Sequence, residues 1–237
     1  MDSRRDEDSP FTPTLPDDHV AQITSWHERA YLEGRASAAT DQTFVYLDTT
    51  IVVPADVMPI TPMSHLLGEA VAAEVRPDDR VLDMGTGSGV NAILAARNGA
   101  DVVAVDINPV ALEAARANAS RNGVAGRVTV QHSDVFSTVD GRFDVIVFDP
   151  PFRWFRPRDL LESAMTDEGY RSLTRFFREA RDHLSADGRM LIFFGTSGDL
   201  GYLQALIRQH DFTATGVARD ELTRDGWKVE YFTFLVR

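Results

Sequence analysis

The regular alternation of apolar runs and helical stretches after Asp79 is the feature of this sequence that most limits its fold. Runs of Val, Ile, Leu and Phe indicate strands buried on both faces, as parallel strands are when helices cover a sheet. Two final runs, 211–219 and 227–236, flank Arg224-Asp225-Gly226, and the Asp-Gly pair is a strong hairpin signal. We therefore predict an α/β, doubly wound, mostly parallel sheet of seven strands that ends in an antiparallel pair. The parallel strands are expected at 80–84, 101–105, 127–131, 143–148 and 188–194, and the helices at 89–98, 109–122, 169–184 and 199–209.

The residues before this alternating region form segments of different composition. Residues 1–16 hold three prolines and few large apolar side chains, too few to offset the entropy of ordering, so we expect a flexible tail. Apolar residues at helical spacing predict a helix from Asp17 to about Gly34, and β-branched residues predict a hairpin over 43–53. We divide the chain into the tail 1–16, a helix-and-hairpin extension 17–62, and a main domain 63–237 that opens with a helix at about 63–75.

Composition excludes several classes of protein. The chain of 237 residues has no cysteine, which excludes disulfides, thiolate nucleophiles and thiolate metal sites, and its six histidines lack the spacing of a metal site. A net charge of −12 opposes the electrostatic footprint of a protein that grips nucleic acid by itself. No apolar run is long enough to cross a bilayer and the N-terminus lacks the apolar stretch of a secretory signal, so we expect a cytoplasmic protein without a membrane segment.

A glycine-rich loop follows the first of the parallel strands. Gly85, Gly87 and Gly89 alternate between the strand-end Asp83 and a helix, with Thr86 among them. Glycines tolerate positive φ and let a ligand approach the backbone, while the free N–H groups of the helix attract a carboxylate or phosphate. The loop therefore predicts a nucleotide-type ligand. Because its second half also fits the Gly-x-Gly-x-x-Ala pattern of dinucleotide enzymes, an NAD(P) site remains an alternative.

Two further carboxylates follow the next two strands. Asp106, just before Ile107, ends the second strand, where a carboxylate can accept hydrogen bonds from ribose hydroxyls, as it also does in nicotinamide enzymes. Asp134 and Val135 follow the third strand, where an acid can accept a hydrogen bond from an adenine amino group. A solvated loop acid is the alternative for Asp134. The acid after the third strand, Asp134, therefore argues against NAD(P) as the ligand of the glycine loop.

The strand at 143–148 leads directly into Asp149-Pro150-Pro151-Phe152, at the end of a parallel sheet where ligands bind. Two prolines form a stiff extended loop whose carbonyls are free acceptors. The Asp149 carboxylate and the Pro150 carbonyl can accept hydrogen bonds from an amide or aryl-amine NH₂ group, localise its lone pair, and stabilise the positive charge that develops on the nitrogen. Phe152 would supply a flat wall for a planar acceptor. The alternative is a proline pair that only ends the strand, with Phe152 in the core.

A basic and aromatic segment follows this loop. It begins with Arg153 and Trp154 and continues through Arg158, in a protein that is otherwise acidic. We interpret it as a lid that grips an anionic or planar acceptor. A solvated loop with one aromatic ring turned inward is the alternative.

With these loops in this order, residues 50–237 resemble class I S-adenosylmethionine-dependent methyltransferases, in particular release-factor glutamine methyltransferases and related small-domain N-methyltransferases. The resemblance implies a Rossmann-like methyltransferase fold with S-adenosyl-L-methionine as the cofactor. It also implies that Thr61 and Pro62 lie over the cofactor and the substrate. The implied cofactor-binding residues are Asp83, Gly85, Thr86, Gly87, Gly89, Asp106, Ile107, Asp134 and Val135, the implied catalytic residues are Asp149, Pro150 and Phe152, and the implied substrate-binding residues are Pro151, Arg153 and Trp154.

The same resemblance implies methyl transfer to a nitrogen of a protein, small-molecule or base acceptor. Release-factor enzymes usually carry Asn where Asp149 stands, and they have a longer N-terminal docking domain than residues 1–50 can form. The charge of −12 favours a protein amide or a small-molecule amine over nucleic acid. An NAD(P)-dependent reductase and a catalytically silent methyltransferase-fold partner subunit are the alternative functions.

Overall fold

The computed structural model describes residues 11–224 and 226–237 of the chain. Its helices are α1 (Asp17–Ser37), α2 (His65–Glu74), α3 (Val90–Arg97), α4 (Pro109–Arg121), α5 (Leu160–Ser163), α6 (Arg171–Ala180) and α7 (Leu200–Gln209). Its strands are β1 (Gln42–Tyr46), β2 (Thr49–Val53), β3 (Arg80–Met84), β4 (Asp101–Asp106), β5 (Val128–His132), β6 (Phe143–Phe148), β7 (Leu184–Gly195), β8 (Ala214–Arg224) and β9 (Trp227–Val236).

The main sheet has seven strands in the order β5-β4-β3-β6-β7-β9-β8, and β1 and β2 form a separate hairpin. Strands β3 to β7 run parallel, while β9 pairs antiparallel with both β7 and β8. The predicted sheet and its antiparallel end are therefore confirmed. Because Met84 of β3 pairs with Phe148 of β6, the residues that follow them, Gly85 and Asp149, leave the sheet side by side. The topology thus brings the two predicted loops to the same edge of the sheet.

The central strands alternate their side chains between two apolar layers. Val145 and Val147 of β6 belong to the layer that α1, α2 and α3 cover. Ile146 belongs to the opposite layer, in which Phe176 and Phe177 of α6 pack against the sheet. Strand geometry places successive side chains on opposite faces, so one continuous apolar run serves both layers. The loops at the carboxyl edge therefore project from a frame that is packed on both sides.

Some element bounds differ from the sequence prediction. The helix predicted over 169–184 is shorter because Tyr170 has a φ of 52°, outside the helical region, immediately before α6. Strand β7 begins at Leu184, four residues before the predicted start, because Leu184 pairs with Phe143. Arg224 and Trp227 pair across the final hairpin, and Asp225 of the predicted turn lies outside the described residues.

The N-terminal residues differ from the expected flexible tail over 1–16. Residues 1–10 lie outside the described residues, but residues 11–16, here called the N-terminal arm, lie against the body of the protein. The Phe11 ring contacts the rings of Trp154, Tyr170 and Tyr202 at centroid distances of 5.6, 5.0 and 4.9 Å. Burial of one aromatic ring among three others offsets the entropy of ordering a short polar segment.

The predicted N-terminal helix and hairpin are both present. The Trp26 ring of α1 packs edge-on against Trp227 at 5.0 Å, which joins α1 to the main sheet. The hairpin is held by α4, whose buried Asn118 side chain accepts a hydrogen bond from the Val52 N–H at 3.0 Å and donates to the Val52 carbonyl and the Ser88 carbonyl. One amide side chain thus ties β2 to the glycine loop. No helix in the described part of the chain is long and apolar enough to cross a membrane.

Candidate functional site

A cleft of about 1620 Å³ opens at the carboxyl edge of the sheet, between the two loops that the topology brings together. This volume exceeds the usual 300–1,000 Å³ of a site for one small ligand, so the cleft has room for a nucleoside and a second molecule. Residues 56–60 line it from the side of the hairpin. The predicted site residues that line it are Gly85, Thr86, Gly87, Asp106, Ile107, Asp134, Val135, Asp149, Pro151 and Trp154.

The glycine loop has the left-handed backbone that its glycines predict. Gly85, Gly87 and Gly89 have φ values of 68°, 53° and 87°, in the region that side chains disfavour. A Cβ on Gly89 would lie 3.0 Å from the Ala115 Cα, so this glycine also allows α4 to approach. The loop turns sharply onto the N-terminus of α3, whose free N–H groups favour a negatively charged or polar ligand group.

Asp83 lies beneath the glycine loop and does not line the cleft. Its carboxylate is buried and accepts hydrogen bonds from the Thr86 hydroxyl at 2.5 Å and the Ala92 N–H at 3.1 Å. Burial raises the pKa of Asp83 to about 6, although both hydrogen bonds oppose the rise. Asp83 therefore holds the shape of the glycine loop from below.

Asp106 joins the glycine loop to the second strand. Its carboxylate accepts a hydrogen bond from the Gly87 N–H at 2.9 Å and another from the Asn108 N–H at 2.9 Å. Burial raises the pKa of Asp106. The same carboxylate lines the cleft, where it keeps lone pairs that can accept further hydrogen bonds. The neighbouring Ile107 side chain is 42% exposed and provides an apolar surface at this end of the cleft.

Asp134 and Val135 line the cleft beyond Asp106. The Asp134 carboxylate pairs with the Arg175 guanidinium at 2.5 Å, and the Arg175 guanidinium also donates to the Asp134 carbonyl. Val135 has a φ of 50° and its carbonyl accepts a hydrogen bond from the Ser133 hydroxyl. Both residues thus lie at the wall of the cleft, on a turn that is fixed by its own hydrogen bonds.

Asp149 begins the loop that faces the glycine loop, and its side chain is open to the cleft. Its carboxylate makes no hydrogen bond or ion pair with any other described residue. Protein surrounds it on the sides away from the cleft, and this burial raises the pKa of Asp149 to about 7, with repulsion from Asp83 adding to the rise. The Pro150 ring is buried, and its carbonyl accepts no hydrogen bond from a described residue. Two unpaired acceptors therefore stand in sequence beside the glycine loop.

Phe152 and Arg153 lie elsewhere than the sequence predicts. The Phe152 ring packs against Phe193 and Phe194 at 5.5 and 5.1 Å, and does not line the cleft as a wall. The Arg153 backbone pairs with Thr166 in a strand-like bridge that turns its side chain inward. That side chain is only 7% exposed, and burial lowers its pKa to about 10. The Arg153 guanidinium therefore does not line the cleft, unlike the substrate-binding position that we expected for it.

Trp154 and Pro151 line the cleft, and their role in binding substrate stays a prediction. Sequence reasoning missed the part of the wall formed by residues 56–60 and by Phe11, and it placed Thr61 and Pro62 over the cleft instead. A signal existed for Phe11, since it is the single aromatic ring in an otherwise polar segment. No local signal marks 56–60, whose position depends on the hairpin and α4.

Comparison with known proteins agrees with this arrangement. Residues 60–221 match the family model described as methyltransferase small domain. The chain is 33% identical over 172 residues to ribosomal protein uL3 glutamine methyltransferase of Bradyrhizobium diazoefficiens. This alignment covers 65% of this chain and 54% of that protein. It is 55% identical over 74 residues to ribosomal protein L11 methyltransferase of Pelotomaculum thermopropionicum, and this alignment covers 31% of this chain and 24% of that protein. The chain thus spans about half the length, or less, of these curated relatives.

A solved structure also has this fold. The ribosomal protein L11 methylase of Lactobacillus delbrueckii subsp. bulgaricus aligns with a TM-score of 0.56 and 21% identity, over 75% of this chain and 80% of that one. The fold and the family model confirm the resemblance to class I S-adenosylmethionine-dependent methyltransferases, and with it S-adenosyl-L-methionine as the cofactor. These matches give no support to the reductase alternative or to the silent-subunit alternative. The chain belongs to the methyltransferase small domain family.

Proposed function

We propose that this protein transfers a methyl group from S-adenosyl-L-methionine to a nitrogen atom of a protein side chain. The observation that carries the proposal is the unpaired Asp149 carboxylate, which opens into the cleft directly beside the glycine loop. The Pro150 carbonyl, free of hydrogen bonds from described residues, supplies a second acceptor one residue later. A charged group left without a partner at the wall of a cleft is more often a functional group than a structural one.

These two acceptors suit a nitrogen that is a weak nucleophile. An amide NH₂ group could donate one hydrogen to the Asp149 carboxylate and the other to the Pro150 carbonyl, which localises the lone pair on nitrogen. S-adenosyl-L-methionine supplies an electrophilic methyl group when bound. The negative charge of Asp149 then stabilises the positive charge that develops on the nitrogen, and the carboxylate can accept the proton that the methylated nitrogen releases.

The residues that would hold the cofactor have the chemical groups that its parts require. The backbone of Gly85 and Gly87 allows close approach of its amino-acid portion, and Asp106 can accept hydrogen bonds from its ribose. Ile107 and Val135 offer apolar contacts for an adenine ring, and Asp134 offers an acceptor for its amino group. Asp83 takes part through the loop that it supports.

The net charge of the chain and the names of its relatives both favour a protein acceptor over a nucleic acid. The net charge of −12 would repel a phosphate backbone. Arginines of α6 that line the cleft pair with acids, as Arg171 does with Glu168 at 3.4 Å and Arg175 with Asp134 at 2.5 Å, so they offer little net positive charge. The relatives are named as methyltransferases of ribosomal proteins. We place the reaction in the cytoplasm, where such an acceptor is made.

Transfer of labelled methyl from S-adenosyl-L-methionine into fractionated protein, RNA, DNA and small-molecule pools tests the proposal. We expect label in the protein pool, in a form that acid hydrolysis releases as an N-methylated amino acid. Label confined to RNA, DNA or small molecules would overturn the protein acceptor. Calorimetry with S-adenosylhomocysteine and with NADH is the companion measurement, and tight binding of NADH alone would restore the reductase.

A further inference from the structure

A chain of hydrogen bonds joins the N-terminal arm to the loop that carries Asp149. The Thr14 N–H and hydroxyl donate to the two carboxylate oxygens of Asp199 at 2.6 and 2.5 Å. The Asp199 N–H donates to the Tyr170 hydroxyl at 2.8 Å. The Tyr170 hydroxyl in turn donates to the Phe152 carbonyl. Residues from three distant parts of the sequence are thus connected, through the Tyr170 hydroxyl, to the backbone of the Asp149–Phe152 loop.

The glycines along this chain are required by its close approaches. A Cβ on Gly198 would overlap the Phe152 carbonyl oxygen, so only glycine lets the loop backbone lie there. A Cβ on Gly201 would lie 2.5 Å from the Thr14 hydroxyl oxygen. Gly201 belongs to the first turn of α7, where alanine would otherwise be the better helix former. Gly201 therefore lowers the helix propensity of α7 at the position where the N-terminal arm approaches it.

Tyr170 is held in an unfavourable backbone conformation at the centre of the chain. Its φ of 52° lies in the left-handed region, which a bulky side chain seldom adopts. Its ring is fully buried, stacks on Tyr202 at 5.1 Å, and receives the edge of Phe11 of the arm. Such strain persists when surrounding contacts fix it, and here those contacts connect the arm to the Phe152 carbonyl.

We propose that the N-terminal arm is part of the active-site apparatus, and that Thr14, Asp199 and Tyr170 are positioning residues that set the direction of the Asp149 and Pro150 acceptors. Because Pro150 and Pro151 have fixed φ angles, the loop moves as a stiff unit and a rotation at Phe152 is passed back to Asp149. The arm lies outside the matched family segment 60–221, so this control belongs to the part of the chain that the family model does not cover. The role in catalysis rests on the proposed function; the mechanical link does not.

The link is tested without turnover by amide hydrogen exchange of the peptide that covers residues 149–158. Thr14→Val removes the hydroxyl bond to Asp199 and leaves the bond from the Thr14 N–H, whereas Tyr170→Phe removes both the bond to the Phe152 carbonyl and the bond from the Asp199 N–H. Loss of one net hydrogen bond predicts about fivefold faster exchange of this peptide, and Tyr170→Phe should exchange at least that much faster. Gly201→Ala should act like Thr14→Val because it displaces the same hydroxyl, without loss of helix propensity in α7. Thr14→Ser keeps the hydroxyl and should restore the parent rate. The double variant of Thr14 and Tyr170 should exchange no faster than the faster single variant, since both break one chain.

Two controls match these variants in chemistry. Thr24→Val removes a threonine hydroxyl that donates to the Val20 carbonyl on the exposed face of α1. Tyr202→Phe removes a phenol that meets the Thr174 hydroxyl and keeps the stacked ring. Both should leave exchange of the 149–158 peptide at the parent rate. Parent-like exchange in Thr14→Val and in Tyr170→Phe would overturn the proposal, whatever the methyl-transfer assay gives.

Turnover then separates this inference from the proposed function. With an acceptor that the parent methylates, Tyr170→Phe should lower kcat about tenfold while KM for S-adenosyl-L-methionine stays unchanged, since the loop and not the cofactor site is misdirected. A rise in KM with kcat unchanged would overturn the positioning role. Faster loop exchange together with a parent that methylates no acceptor would leave the mechanical link standing and remove the proposed function.

Discussion

The raised pKa of Asp149 predicts that this residue makes the folded protein less stable as pH rises, and that Asp149→Asn removes this loss. Burial raises the pKa of Asp149 from 3.8 to about 7 in the folded protein. Between these two values the folded state binds more protons than the unfolded state, so stability falls with increasing pH. The stabilising contribution is complete below pH 4 and is lost as pH passes through 7. Asn carries no charge at any of these pH values.

The size of the effect follows from the shift and from the position of the side chain. A rise of about three pH units corresponds to about 4 kcal/mol for a carboxylate enclosed on all sides. Asp149 is open to water in the cleft, and solvent screening reduces such energies strongly. We therefore expect Asp149→Asn to be more stable than the parent at pH 8 by on the order of 1–2 kcal/mol, and equal to it near pH 4.

Urea unfolding of both proteins at several pH values between 4 and 8 measures this difference. Asp83, whose pKa burial raises to about 6, is present in both proteins, so the difference between the two curves reports on the charge of Asp149, including its repulsion from Asp83. Asp187→Asn makes the same chemical change at an exposed position and should follow the parent. If the Asp149→Asn curve runs parallel to the parent curve from pH 4 to pH 8, the reasoning about the raised pKa of Asp149 is wrong.

The other predictions concern rate, cofactor affinity and packing. For methyl transfer by the parent, kcat/KM should rise about tenfold from pH 6 to pH 8 as the Asp149 carboxyl ionises, whereas Asp149→Asn should show a flat profile; a steep profile in the variant would contradict this. Gly89→Ala should weaken S-adenosylhomocysteine binding, measured by calorimetry, by at least about tenfold, because the new Cβ would lie 3.0 Å from the α4 backbone. Gly123 also has a positive φ, but a Cβ there would have no atom within 4 Å, so Gly123→Ala should bind like the parent. Asn118→Ala should lower the free energy of unfolding by about 2–3 kcal/mol, because three backbone groups lose their partner at a buried site, and a loss no greater than that of the more exposed Asn122→Ala would refute this.

The sheet and the positions of both loops were predictable because they depend on local patterns. A strand buried on both faces needs a continuous apolar run, and the run from Phe143 to Phe148 served both layers of the core. Asp149 was predicted beside the glycine loop because ligands bind where parallel strands end. Phe148, the residue before Asp149, pairs with Met84, the residue before Gly85, and this register confirms the placement of Asp149.

The direction of side chains after the loop was not predictable in this way. Phe152 turns toward Phe193 and Phe194, which lie some forty positions later, and Arg153 turns inward because its backbone pairs with Thr166. The arm was misjudged for the same reason. Its composition is that of a flexible segment, and only the cavity formed by Trp154, Tyr170 and Tyr202 makes burial of Phe11 favourable.

The claim that Asp149 directs methyl transfer is tested most directly by Asp149→Ala, with cofactor binding and transfer measured on the same preparation. The variant should bind S-adenosylhomocysteine within about twofold of the parent, since the glycine loop and Asp106 are untouched, and its rate of labelled-methyl transfer to protein should fall by about a hundredfold or more. Transfer at the parent rate would contradict the account, because the nitrogen would then be methylated at a site that Asp149 does not form.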